Sequence, residues 1–170
     1  MDKQQLQQLL ISKTTRLYCV LDCASVPDLP MKLYETSTPN ECLFSGELDA
    51  DMIYVAPYVV YLAPTGLFTD WIFSNGLGKN WGIFVRSRRS MNTMRKHFRS
   101  LVSPCDENAR SLIFRFYDPR VIRKFLPTCT GEELKSFFGD VDSFFAESEN
   151  GDSLMQYQIS DNALKETELN

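Results

Sequence analysis

Cys23, His97 and Asp118 are the residue types of a nucleophilic centre: a thiol to attack, an imidazole to take its proton, a carboxylate to orient the imidazole. Placed together they would make a Cys/His hydrolase. They are scattered along the chain, and no local nucleophile signature surrounds the cysteine. Gly76-Leu77-Gly78-Lys79 has the glycines and lysine that could cradle a phosphate. Phe73 stands where the first glycine of such a loop belongs, and Asn80 where a Ser or Thr would hold magnesium. That stretch reads as a turn. The five cysteines, at 19, 23, 42, 105 and 129, form no C-x-x-C, and the single histidine cannot complete a zinc-ligand spacing. The expectation is no metal, no cofactor and no enzyme.

The stretch of residues 110–124, RSLIFRFYDPRVIRK, carries a different chemistry. Residues 111–117 alternate, with Leu112, Phe114 and Phe116 on one face and Ile113, Arg115 and Tyr117 on the other, which predicts a strand. Asp118 suits a helix N-cap because its carboxylate accepts orphan N–H groups, and Pro119 suits the first helical position. Arg115, Asp118, Arg120 and Arg123 then form a charged corner between strand and helix. It serves either as an internal ion pair or as a binding edge. A looser signal is Lys79-Asn80-Trp81-Gly82-Ile83-Phe84, which echoes the aromatic strand of RNA-recognition motifs. With the basic region 86–124, it supports a nucleic-acid-binding α/β module as an alternative. The plainer reading puts Trp81 and Phe84 in the core and the arginines on a solvated face.

These residues need elements to position them. Leu6, Leu9 and Leu10 recur at helical spacing within 2–12, and residues 17–23 are nearly continuously apolar, as in a buried strand. Asp28 is expected to cap a helix to about residue 35, followed by a loop over 36–41 and a strand-like piece over 43–47. A strand over 59–62, a helix capped by Thr65, a strand over 80–86 and an amphipathic helix over 90–102 follow. Thr130 to Glu133 has the spacing of a capping box. Beyond it come a strand over 143–146, a turn at Asn150-Gly151 and a strand over 154–159. The fold class is therefore α/β, a single domain with a central mixed sheet flanked by helices. Its parts are an N-terminal helix over 1–13, the main domain over 14–147, a terminal hairpin strand over 148–160 and an acidic disordered tail over 161–170.

The chain has 170 residues, enough for one full core. Its net charge of −4 is unevenly spread. Residues 86–124 hold 11 of the 18 Lys and Arg, and residues 125–170 hold ten acids against Lys135 and Lys165. Such segregation suits either self-complementarity or two docking surfaces. No secretory leader or membrane-length apolar run is present, so a cytoplasmic protein with no membrane contact is expected.

Four pieces, in order and spacing, resemble one family. They are Leu17-Tyr-Cys-Val-Leu-Asp22; Leu43-Phe-Ser-Gly-Glu47 with Ala56-Pro-Tyr58; Trp81-Gly-Ile-Phe84 with His97-Phe-Arg99; and Phe114-Arg-Phe-Tyr-Asp-Pro-Arg-Val121. The family is the adaptor, or effector-chaperone, family of bacterial type VI secretion, and the resemblance covers residues 16–146. It implies a non-catalytic adaptor that binds a secreted effector protein and helps load it onto the valine-glycine-repeat spike protein. The partner-binding residues expected on that reading are Trp81, Arg99, Arg115, Tyr117, Asp118 and Arg120. Nucleic acid is not an expected partner.

Overall fold

The computed structural model describes residues 1–46, 49–103 and 113–170. Its centre is β1 (Arg16–Asp22), buried at every position after the first. A run of Leu, Tyr, Cys and Val without Gly or Pro forms a strand, and apolar residues of both parities let both of its faces be covered. Tyr18 and Val20 enter one core, while Leu17, Cys19 and Leu21 enter the other.

On one side β1 pairs with β3 (Pro57–Leu62), which pairs with the short β2 (Asn40–Cys42). On the other side lie β4 (Gly82–Ser87), β5 (Val141–Glu147), β6 (Leu154–Ser160) and β7 (Ala163–Leu169). The sheet runs β2-β3-β1-β4-β5-β6-β7. The first core is closed by α4 (Met91–Val102), α5 (Pro119–Phe125) and α6 (Gly131–Phe138), through residues such as Phe98, Ile122 and Phe137. The second is closed by α1 (Lys3–Leu10), α2 (Leu29–Glu35) and α3 (Leu67–Asn75), through Leu6, Leu33 and Phe68. Helices thus cover both faces of the sheet, so the class is α/β. Every pairing between neighbouring strands is antiparallel, where a mixed sheet was expected. Sequence pattern reveals strands but not their partners, and here the chain returns antiparallel at each crossing.

Four helix starts follow local chemistry, whereas α3 has Gly66 at its N-cap with no side-chain cap, where Thr65 was expected to cap it. Asp118 caps α5, Ser90 caps α4, and Thr130 with Glu133 forms the predicted capping box on α6. α1 carries a second capping box, from Asp2 and Gln5. Arg86 reaches across the second core to donate to the carbonyls of Leu9 and Leu10 at the end of α1, with its guanidinium over the Phe145 ring. A cation against the carbonyl end of a helix is favourably placed.

Several expectations are corrected. Asp28 makes no side-chain cap: it sits at φ 53° in the left-handed region. Residues 36–41 are not all loop, because Asn40 and Glu41 belong to β2. Leu43–Gly46 is not a strand, and the rest of that expected piece lies outside the described residues. The strand expected over 111–117 is absent from its described part, residues 113–117. There the aromatics pack among helices rather than within the sheet. Phe116 lies against Phe98 and Phe137, and Phe114 against Phe125. Leu112 lies outside the described residues.

The tail expected to be disordered is β7. Asp161 and Asn162 both have positive φ, 52° and 63°, making a two-residue turn of the primed type that favours hairpins. Ser160 pairs with Ala163 directly across it.

Candidate functional site

The charged corner forms against the carboxyl end of β1. Asp118 is 8 % exposed, and its carboxylate takes two roles at once. Oδ1 accepts the Arg120 backbone N–H at 2.8 Å, capping α5, while the Arg120 guanidinium donates to both oxygens at 2.7–3.2 Å. Burial alone would raise this carboxyl. The hydrogen bonds and charge of Arg120, with the charge of Arg115, outweigh it and hold the carboxyl below its ordinary value. Arg115 lies 3.7 Å from the Asp22 carboxylate. Asp22 is itself buried and accepts from Ala24 N and Ser25 Oγ, folding the chain after β1. Both carboxylates are spent inside the protein, whereas the side chains of Arg115 and Arg120 remain 56 % and 64 % exposed. The corner combines an internal ion pair with two outward guanidinium faces.

The other expected partner-binding residues divide. Tyr117 is buried beside this corner, and burial, reinforced by the Asp22 carboxylate, pushes its phenol up to about 12. Trp81 stacks on Trp71 with centroids 5.4 Å apart, under the Lys79 ammonium, and its carbonyl accepts the Asp22 N–H. Arg99 donates to the Cys42 carbonyl, pinning edge strand β2 to α4. Arg95, one turn earlier, pairs with Glu41 of the same strand. Trp81, Arg99, Tyr117 and Asp118 therefore have structural work on the same end of the sheet as Asp22. Arg115 and Arg120 are the members that face solvent.

The Cys23, His97 and Asp118 trio is not assembled by any mutual hydrogen bond. His97 Nε2 lies 2.9 Å from the Phe137 carbonyl, and its ring packs against Gly139. Burial lowers its pKa, partly offset by that hydrogen bond and by Asp140. Burial pushes the Cys23 thiol up to about 11, away from a thiolate. The glycine turn before β4 already holds an anion. Glu147, 4 % exposed, accepts the Asn80 N–H at 3.1 Å and is further hydrogen-bonded by the Gly78 and Lys79 backbone. Burial raises its carboxyl, and those bonds pull the other way. Among the described residues no three His, Cys, Asp or Glu side chains are grouped to hold a metal ion, and no helix is long and apolar enough to cross a membrane.

An exposed apolar face at the corner's end of the sheet escaped the sequence reading. Met31 and Tyr34 of α2 stand out at 59 % and 82 % exposure, next to the 3-10 turn Ala50–Tyr54. That turn adds Met52, Ile53 and Tyr54, with Val55 following. The segment runs directly into Ala56, whose carbonyl accepts Cys23 N–H, and Pro57, which pairs with Asp22. The face therefore sits at the Asp22 end of the sheet, as the corner does. The run Met52-Ile-Tyr-Val55 was its signal, hidden because consecutive apolar residues read as buried. Grouped exposed side chains of this kind mark interaction surfaces, whereas single ones do not.

No curated protein sequence and no solved structure matches the chain. A family model does, over residues 17–136, from the first buried residue of β1 into α6 and across both cores. The matched span includes the corner and the apolar face, and the chain belongs to the family described as a domain of unknown function, DUF4123.

Proposed function

We propose that this protein is a non-catalytic cytoplasmic adaptor of type VI secretion, which binds a secreted effector and helps load it onto the valine-glycine-repeat spike protein. The observation that carries this reading is the exposed face of Met31, Tyr34, Met52, Ile53, Tyr54 and Val55 at the same end of the sheet as the outward guanidiniums of Arg115 and Arg120. Apolar area supplies affinity, and aromatic and arginine side chains are the usual anchors of an interface. The reading also rests on the four sequence pieces that resemble the adaptor family. In this mechanism an apolar segment of the effector covers the α2 face, and the two arginines set its register through carboxylates or carbonyls on the effector.

The test is co-purification from the native bacterium with tagged wild type, Tyr34→Asp/Tyr54→Asp, and Arg120→Glu. Wild type should retain one effector, with or without a spike protein. Both variants should lose it while melting within a few degrees of wild type, because the changed side chains are exposed. Equal recovery by all three proteins would remove this face as the docking site. An unfolded Arg120→Glu would assign the corner a purely structural role.

A further inference from the structure

A second, separate site lies at the opposite end of the sheet, about 20 Å along β1 from Asp22 at ~3.3 Å per residue. There the link from α1 to β1 meets the ends of β3 and β4 around a cavity of about 340 Å³. It is lined by three cations, Lys13, Arg16 and Arg88, and by Ser12, Thr14 and Thr15, with no carboxylate. Among the described residues none of the three cations makes an ion pair, although the chain as a whole is acidic.

The cluster is also held in place. Arg16 donates to the carbonyls of Arg88 and Arg89, at 2.6 and 3.5 Å, and Tyr18 donates its hydroxyl to the Arg89 carbonyl at 2.8 Å. Those bonds fix the backbone of the turn after β4, where Arg88 lines the cavity together with Arg16. Ser12 and Thr14 hydroxyls are 3.1 Å apart in a local turn that orders the facing wall. Among the described residues the buried Thr15 Oγ1 has no hydrogen-bond partner. Like charges gathered around one cavity without a counter-charge favour an anion there.

We propose that this cavity binds a small organic phosphate. A phosphate presents several acceptor oxygens in a tetrahedron, which can meet an ammonium, a guanidinium and hydroxyls converging from different directions. Arg16 already gives part of its fork to backbone carbonyls, so the Arg88 guanidinium and the Lys13 ammonium are the cavity's remaining cationic donors. The volume lies in the range of small-ligand sites and is too small for a folded partner. This site is independent of the adaptor reading: it shares no residue with the apolar face or the corner.

Isothermal titration of the full chain at low ionic strength tests the proposal, with pyrophosphate and adenosine monophosphate as probes and citrate as the carboxylate comparison. Saturable one-to-one binding of a phosphate probe is expected, weakened roughly tenfold or more by Arg88→Gln and by Lys13→Gln. The melting temperature of both variants without ligand should match wild type, since neither side chain is paired. No saturable heat with either phosphate probe at millimolar concentration, equal binding by the variants, or citrate bound as tightly as pyrophosphate would overturn it.

Discussion

Asp118 illustrates how one side chain can be read correctly in sequence and still surprise in structure. Its capping role follows from the Asp-Pro pair alone, and the cap is present. The grip of Arg120 on the same carboxylate depends on the guanidinium folding back two residues. That pairing depresses the Asp118 pKa, so the folded state prefers the ionised form. Its stabilisation is complete at neutral pH and is lost as pH falls below about 4, through the folded-state value. Asp118→Asn keeps a capping oxygen but loses the charge. We expect it to cost about 0.5–1 kcal/mol at pH 7, a small figure because the arginine is largely exposed. The difference from wild type should narrow in acid. Urea melts at pH 7 and pH 3.5 measure this; a gap that stays constant would mean the charge contributes nothing. The same residue bears on the proposed function, because its bond to Arg120 fixes an exposed guanidinium at the end of the sheet that carries the apolar face.

Among the elements, β7 shows where pattern reading stops. Its sequence, ALKETEL, is polar and acidic, the composition of a solvated tail. The primed Asp161-Asn162 turn returns it onto β6, and all seven of its residues pair there. Leu164 and Leu169 supply its apolar contacts, one to each core. As the terminal strand of the sheet it carries Glu166 and Glu168, charges that discourage edge-to-edge association. Deleting residues 163–170 should expose the edge of β6 and remove both leucines. The expected result is a lower melting temperature and concentration-dependent association on size-exclusion chromatography. A truncated chain that melts and elutes as wild type would mean β7 adds no net stability.

Across the whole molecule, folding disperses part of the charge segregated along the chain. Arg89 pairs with Asp140, Arg123 donates to the Glu147 carbonyl, Arg95 pairs with Glu41 and Arg99 holds the Cys42 carbonyl. The basic middle is thus drawn onto the acidic end and onto edge strand β2 instead of forming a continuous stripe. A nucleic-acid groove needs such a stripe, with several cations following the phosphates. Single-stranded and duplex oligonucleotides should therefore show no appreciable binding at low salt by fluorescence anisotropy. Tight binding that weakens steeply with added salt would restore the nucleic-acid alternative.

By itself, the sequence determined the α/β class, the caps of α5 and α6, the burial of β1 and the charged residues around the start of α5. Each follows from neighbours within a few residues: period of apolar positions, capping pairs, an Asp-Pro start. Only the tertiary structure decided which strands pair, that 113–117 packs among helices, and that α2 and the 3-10 turn leave six large apolar side chains exposed together. It also decided that Lys13, Arg16 and Arg88, far apart in the chain, line one cavity. Those outcomes depend on what lies opposite each residue in space, and an apolar or basic side chain carries no local mark of whether its neighbour will be core, counter-charge or solvent.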